Sequence, residues 1–512
     1  MARKTEYDGG DEMTTLTPRS LTELGIAAPD NGAASCLVKG VCVDSRQVRE
    51  GDLFIARDGV SHRGADFIEQ AAQQGAVAAL LDSASSSGLD VSAFSIPVVV
   101  VENLQQRAGE IISTWFGNPS QQLRVIGITG TNGKTSCAHY LAQALTHLGQ
   151  KTALIGTVGN GFVGQLSPAT HTTPDVVKVH ELLAGYVAQG ANAVVMEVSS
   201  HALDQGRIAG VEFAVAAFTN LSRDHLDYHK TMVAYGEAKA RLFTDYAVKQ
   251  RVVNLDDAFG QQLYQRLKDQ GIDCCGYSAI GNNKADVLPG VSELSSAGIR
   301  LSVDVSYPAL DTISFSSSVV GGFNVANLLL TVAVLCRLDW KGEAIATVMS
   351  CVTAVPGRME SYIASRGTVV VVDYAHTPDA LEKALAACRE HCSGKLWVVF
   401  GCGGDRDTGK RAEMATIAEL HADQLVITSD NPRTEDPLTI ISMIVDGLSA
   451  PGAAVVFEDR RAAIEYAYAH ANDDDWVLVA GKGHEDYQEV MGKKLAFSDR
   501  ELAKQLVEES QL

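Results

Sequence analysis

The chain has 512 residues, 46% of them hydrophobic, and 42 Lys and Arg stand against 62 Asp and Glu, for a net charge of −20. On a prior of ~150 residues per domain this length holds three domains, and the composition supplies a core for each. The acidic balance excludes a general nucleic-acid binder, and no apolar run approaches the ~18 residues of a membrane span, so any anionic ligand must be met by local basic clusters.

The opening, MARKTEYDGGDEMTT, is polar and lacks the apolar stretch of a secretory signal. The cysteines are scattered, with Cys274 and Cys275 adjacent, so no zinc or disulfide framework is visible. The expectation is a reduced, cytoplasmic protein. Residues 1–121 read as a first domain with strands at Leu37–Val43, Leu53–Ala56, Val77–Leu81 and Val98–Val101 and a helix at Asp66–Gln74. Ser83–Ser87 reads as a small polar loop. Asp44-Ser45-Arg46 directly follows a strand, where either a ligand contact or a solvated turn fits. Phe116-Gly-Asn-Pro-Ser120 breaks the chain.

Residues 122–352 read as a central α/β domain organised around Arg124–Leu148. Val125, Ile126 and Ile128 have buried-strand character. Gly130-Thr131-Asn132-Gly133-Lys134-Thr135-Ser136 breaks the strand, and Ala138, Leu141, Ala142, Leu145 and Leu148 then recur at helical spacing up to Gly149. Strand, glycine loop, Lys-Thr and helix form a phosphate cradle: backbone N–H groups face the anion, Lys134 adds a charge, and the Thr135 hydroxyl suits Mg²⁺. Ile128 stands where the strict motif has its first glycine. A bound nucleoside triphosphate is the expectation. Further strands at Ala153–Ile155, Ala193–Val198, Ala214–Thr219 and Arg251–Asn254 run into polar groups, among them Glu197-Val-Ser-Ser-His201 and Thr219-Asn-Leu-Ser-Arg-Asp-His225. Ligands of open α/β sheets collect at such strand ends. Glu197 is then the second Mg²⁺ group, its alternative being a salt-bridge or capping role. His225 fits either a metal or phosphate contact or a hydrogen-bonded loop residue.

Residues 353–512 repeat the pattern with strands Thr368–Val372, Leu396–Phe400, Gln424–Thr428, Ala454–Phe457 and Trp476–Ala480. Four of the five run into unusual polar loops: Asp373-Tyr-Ala-His376, Gly401-Cys-Gly-Gly-Asp-Arg-Asp407, Ser429-Asp-Asn-Pro-Arg433 and Gly481-Lys-Gly-His-Glu485. Parallel strands would place all four along one rim, facing a substrate. A nucleotide switch that uses its P-loop for binding energy alone would leave that rim without a use.

These loops, with Gly130–Thr135, Thr172-Thr-Pro174 and Glu197–His201, resemble the Mur ligases. Asp430-Asn-Pro-Arg433 and Gly481–Glu485 are similar to the UDP-N-acetylmuramoyl-tripeptide synthetases, in the form that adds meso-diaminopimelate rather than lysine. The P-loop alone also fits folate-polyglutamate ligases. The resemblance implies three domains: UDP-binding, ATP-binding with a central sheet, and Rossmann-like. It implies a monomer that joins the D-glutamyl carboxylate of UDP-N-acetylmuramoyl-L-Ala-D-Glu to an amine of meso-diaminopimelate at the cost of ATP, in cytoplasmic peptidoglycan synthesis.

By the same resemblance, Ser45 meets the UDP part, and Thr172, Thr173, Ser199, Gln205 and Arg207 hold the muramoyl-dipeptide. Asn324, Arg358 and Asp373 lie around the nucleotide. Arg406, Asp430, Asn431, Pro432, Arg433, Gly481 and Glu485 form the diaminopimelate pocket. Lys239 matches the carbamylated lysine of the family, a further metal-facing carboxylate; by spacing alone it reads as a solvated helix lysine. His171 departs from the Asn that similar enzymes often carry. Arg433 is expected to present its fork to a substrate carboxylate, or else to brace Asp430 or Asp436. Asn431 and Glu485 are expected to take the distal ammonium.

Overall fold

The computed structural model of the chain describes residues 17–27, 33, 36–59, 62–306 and 311–509. The polar opening segment lies outside them. The chain forms two compact units, Met1–Lys134 with Gln150–Arg251, and Thr135–Gly149 with Val252–Leu512.

In the first unit, Gly40–Cys42, Asp52–Ala56, Ala78–Asp82 and Val98–Val101 form a four-stranded parallel sheet. The expected Leu37–Val43 strand is two strands, because Leu37–Val38 turns away to pair antiparallel with Arg19–Ser20. Ser83–Ser86 is a short helix instead of a loop, since the Asp82 carboxylate caps it by accepting from the Ala84 N–H at 2.9 Å. The second sheet of this unit places Thr152–Ile155, Ala193–Glu197, Arg124–Thr129 and Phe213–Phe218 side by side, all parallel. Their carboxyl ends therefore bring Glu197, the Gly130 loop and Thr219 into one row. Gly127 sits mid-strand because a side chain there would run into the Phe213 ring, at 2.8 Å from a Cβ.

In the second unit, Val252–Asn254 pairs with Cys275–Tyr277, and three antiparallel strands follow, Val287–Ser295, Gly298–Val305 and Asp311–Ser317. The C-terminal sheet has the order Glu360–Ile363, Val369–Asp373, Trp476–Ala480, Leu396–Phe400, Gln424–Ile427, Ala454–Val456. All but the first strand are parallel. Alternate residues feed two cores, Val369, Val371, Val398 and Leu478 on one face and Val370, Val372, Val399 and Val479 on the other. Burial on both faces explains the unbroken apolar runs in these strands. Among the described residues no helix is long and apolar enough to cross a membrane. Among the described residues, none of the ten cysteines is in a disulfide.

Candidate active site

The phosphate loop leaves the Arg124–Thr129 strand through Gly130, whose φ is +148°; a Cβ there would lie 1.8 Å from Thr219 Oγ1. That close approach welds the loop to the neighbouring strand end. The Thr131 N–H donates to the Asn220 carbonyl (2.8 Å), the Asn132 N–H to Asn220 Oδ1 (3.0 Å), and Thr219 Oγ1 to the Asn132 carbonyl (2.6 Å). The expectation that backbone N–H groups of the loop face an anion is corrected for Thr131 and Asn132, which use theirs on Asn220. The anion is then left to the start of the Lys134–His147 helix, the positive end of its dipole. Lys134 folds back on its loop, donating to the Gly130 (2.9 Å) and Thr131 (2.8 Å) carbonyls. Burial pushes its ammonium pKa down, against the pull of Glu197 and Asp224.

Lys239, on the Met232–Thr244 helix, is 1% exposed, which overturns the solvated reading. Its Nζ donates to the same Gly130 carbonyl at 2.7 Å and lies 4.4 Å from the Tyr235 ring centroid. Burial, with the adjacent Lys134 charge, drives its pKa well below the ordinary lysine range. Glu197 is likewise buried, accepting from the Thr157 N–H (2.8 Å) and the Thr157 hydroxyl (3.2 Å). His225 has φ +51° and lies 3.4 Å from Asp224, with its ring against His201 at 4.8 Å. No group of three or more His, Cys, Asp or Glu with metal-binding geometry occurs among the described residues. Mg²⁺ does not need one: it takes one or two carboxylates and fills its shell with waters and phosphates, which fits a single buried Glu197 beside a phosphate loop.

The residues expected around the muramoyl-dipeptide form one network in the first unit. Thr173 Oγ1 donates to the Glu197 carbonyl (2.8 Å), and Arg207 reaches the Thr173 carbonyl (3.0 Å) and Gln205 Oε1 (2.9 Å). Ser199 caps the Ser200–Asp204 helix through the Ala202 N–H, and Thr172 contacts Thr157. Two residues not anticipated belong here: Arg57, which donates to the Gln205 carbonyl, and Tyr228, which accepts from Gln205. Ser45 is buried, with its hydroxyl on Gln70 at 2.8 Å, while Arg46 is the exposed member of that turn, paired to Asp44. His171 is exposed and contacts Thr170.

In the second unit, Asn324 is buried at the start of the Phe323–Arg337 helix. Its Oδ1 accepts from the Tyr140 hydroxyl (3.1 Å) and Asn327 Nδ2 (2.8 Å). Thr135 and Ser136 stand in the first turn of the helix that carries Tyr140. Arg358 lies 4.9 Å from the Tyr374 ring centroid, and its buried Nε has no hydrogen-bond partner among the described residues. Asp373 is buried and accepts from the Met359 N–H at 2.8 Å; burial raises its pKa while that bond and Arg358 oppose the rise.

The C-terminal rim gathers Arg406, Asp430, Asn431, Pro432, Arg433, Gly481 and Glu485. Arg433 is held at φ +50° by the hairpin Tyr487–Val490/Lys493–Ala496: its N–H donates to the Glu489 carbonyl (3.0 Å) and its carbonyl accepts from Met491 (2.6 Å). Its side chain braces neither Asp430 nor Asp436; Nη1 donates to the Gly404 carbonyl (2.7 Å) and Nε lies 3.5 Å from Glu489. Arg406 also lies near Gly403, 3.9 Å from where a Cβ would stand, and donates to the Asp405 carbonyl. Asn431 and Glu485 are joined to each other and to Lys482, whose ammonium stands where a substrate ammonium was expected. Asp430 is buried and its pKa is raised by that burial, with Arg460 and Lys482 opposing. Gly481 has φ +121°, and a Cβ there would lie 2.4 Å from Asp430 Oδ2. Gln488, Glu489, Arg460 and Asp499 are support the motifs did not mark. Lys482 had a signal, a lone cation between two glycines at a strand end; the Arg460–Asp499 pair, 39 residues apart, had none.

Three family models match in order along the chain: Mur ligase family, catalytic domain, at residues 37–115; Mur ligase middle domain at 128–335; and Mur ligase, glutamate ligase domain, at 357–483. A curated relative from Chromobacterium violaceum, named UDP-N-acetylmuramoyl-L-alanyl-D-glutamate–2,6-diaminopimelate ligase, is 49% identical, covering 91% of this chain and 94% of its own. A relative of the same name from Coxiella burnetii is 46% identical over 92% and 96%. A solved structure of a ligase of this name superposes with a TM-score of 0.77 at 35% identity, covering 97% of this chain and all of the other. A folylpolyglutamate synthase from Mycobacterium tuberculosis, solved with ADP and AMPPCP, shares the fold at 18% identity, with a TM-score of 0.55 and coverage of 72% and 91%. With matches along nearly its whole length and the strand-end loops in place, this chain belongs to the Mur ligase family.

Proposed function

We propose that this chain is the ATP-dependent ligase that adds meso-2,6-diaminopimelate to UDP-N-acetylmuramoyl-L-alanyl-D-glutamate, releasing ADP and phosphate, in peptidoglycan precursor synthesis. The observation that carries the reading is the near-full-length similarity to relatives bearing that name, at 44–49% identity. Residues 1–121, 122–352 and 353–512 then divide the work as UDP-substrate, ATP and amino-acid domains of a cytoplasmic monomer. A carboxylate and an ammonium do not condense at pH 7. Transfer of the γ-phosphoryl group to the D-glutamyl carboxylate gives an acyl phosphate, which the amine attacks with phosphate leaving. Such transfer depends on position and electrostatics. The positive end of the helix that starts at Lys134 faces the phosphates, and Lys134, released from the Gly130 and Thr131 carbonyls, supplies a charge.

Mg²⁺ would be held by Glu197, Thr135, His225 and a carbamate on Lys239, and would screen the repulsion between triphosphate and carboxylate. The free amine of a lysine is the form that adds CO₂, and burial shifts Lys239 toward that form, which supports the modification there. Arg207, Gln205, Thr172, Thr173 and Ser199 orient the muramoyl-dipeptide, and Ser45 lies toward its UDP end. Asn324, Arg358 and Asp373 take the nucleotide, and the Arg406, Asp430, Asn431–Arg433, Gly481 and Glu485 rim takes the amino acid. ADP release should require both the UDP-muramoyl-dipeptide and diaminopimelate. ATP turnover that ignores either would overturn the assignment.

A further inference from the structure

The diaminopimelate pocket holds a cation that the proposed binding set does not use. The Lys482 side chain is 0% exposed, and its ammonium donates to Asn431 Oδ1 at 3.1 Å and to Glu485 Oε2 at 3.0 Å, 5.5 Å from the Tyr487 ring centroid. Asn431 Nδ2 donates to the same Glu485 oxygen at 2.8 Å, which closes a three-membered ring of bonds. Asn431 Oδ1 also accepts the Glu489 N–H at 2.8 Å. An ammonium and a backbone N–H only donate, so the amide can face one way. Its oxygen has both lone pairs taken, and one N–H is left over. Glu485 Oε2 is bonded twice, which leaves Oε1 for a ligand. Arg460 is committed to Asp499 on two bonds, at 2.8 and 2.7 Å, so Lys482 is the cation that serves Glu485 directly.

We propose that Lys482 is a positioning residue that sets amino-acid selectivity, an inference that rests on the function proposed above. By holding Glu485 and turning the Asn431 amide, it leaves the pocket with one anionic acceptor and one neutral donor, the complement of an end that carries both ammonium and carboxylate. Its charge also offsets one of the two carboxylates, Asp430 and Glu485, that line the pocket. Without it, Glu485 would stand uncompensated beside an Asp430 that keeps only Arg460, and the pocket would welcome a bare ammonium such as the distal end of lysine and repel an end bearing its own carboxylate. Selectivity here is a difference between two affinities, and Lys482 acts on the repulsive side of that difference.

The test compares wild type, Lys482→Met and Lys482→Arg with diaminopimelate and with L-lysine, at saturating ATP and UDP-muramoyl-dipeptide. For Lys482→Met the KM for diaminopimelate should rise about ten- to a hundredfold, the range for losing one charge-assisted hydrogen bond. The kcat at saturation and the KM for ATP should stay within about threefold, and the diaminopimelate-to-lysine ratio of kcat/KM should fall at least about tenfold. Lys482→Arg, which keeps the charge, should lie between the two. An unchanged ratio, or a loss in kcat equal for both amino acids, would overturn the proposal and make Lys482 a structural residue only. If Lys482→Met fails to fold, Lys482→Gln, which keeps a donor toward Glu485, carries the same two expectations. A wild-type enzyme that ignores diaminopimelate altogether would instead overturn the function itself.

Discussion

Removing one member of the Arg460–Asp499 pair should expose how the pocket floor is built. Both side chains are 0% exposed, and Arg460 also donates to the Ala480 carbonyl at 2.9 Å, directly beneath Gly481. In Arg460→Met the Asp499 carboxylate loses its only donor among the described residues, and its escape is to take up a proton. At pH 7 that costs about 4 kcal/mol, counted from an ordinary aspartate value near 3.9 at about 1.4 kcal/mol per unit. The buried carboxyl in this variant has a raised folded pKa, so its folded state binds more protons than the unfolded state above pH 4. Its stability deficit should therefore grow with rising pH and shrink to about 1.5 kcal/mol at pH 5. Asp499→Asn strands a guanidinium that cannot give up its proton, at about 3–5 kcal/mol, with no such pH dependence. The double variant Arg460→Met/Asp499→Leu should recover most of the stability, because an apolar pair replaces a desolvated one. It should not recover activity, because Asp430 loses one of the two cations that oppose its burial, Arg460, and keeps only Lys482. Urea unfolding at pH 5, 6 and 7, with ligation assays, reads all three. A deficit for Arg460→Met that is flat across these pH values would refute the reasoning.

Gly130→Ala should fold but bind ATP at least about tenfold more weakly by calorimetry, since its Cβ meets Thr219 Oγ1 at 1.8 Å and the loop must shift. Lys239→Ala should lose most activity and regain part of it with added short carboxylates, and density at Lys239 in a crystal of wild type should extend by a carboxyl group; a fully active alanine variant would count against the modification. Arg433→Ala should raise the KM for diaminopimelate and, because Arg433 also ties Gly404 to the hairpin, loosen residues 401–406 in hydrogen exchange. His180, pushed down to about 4 by burial and bonded among the described residues at Nε2 to the Ala209 carbonyl, is neutral in the folded chain above about pH 4. Its unfolded value lies near 6.5, so stability is lost as pH falls from about 6.5 through 4, and His180→Gln should flatten that slope by up to one proton.

Strands were legible because the parallel sheets bury both faces, so Val369–Asp373 and Trp476–Ala480 announce themselves as apolar runs. The loops after them were legible because phosphate and amino-acid chemistry demands Gly, Lys, Arg and Asp at fixed offsets. The antiparallel strands Val287–Ser295, Gly298–Val305 and Asp311–Ser317 were not, since one face of each is solvated and their alternation is weak beside Ser and Gly. Lys239 was misjudged by spacing for a related reason: sequence places it on a helix, and only the packing of that helix against Gly130 hides it from water. Arg433 was assigned to a substrate carboxylate, or to Asp430 or Asp436, because nothing local marks Glu489, 56 residues on, as its neighbour.

The order of the C-terminal sheet has a consequence for synthesis. Its central strand, Trp476–Ala480, is the last of the six to be made, and it separates Val369–Asp373 from Leu396–Phe400. Until the ribosome has passed Ala480, the earlier strands present two facing edges with unpaired backbone groups, a template for wrong partners. A nascent chain therefore gains this sheet late and at once, and a premature stop before Ala480, even one within the last tenth of the message, removes the middle of the sheet and not merely a tail.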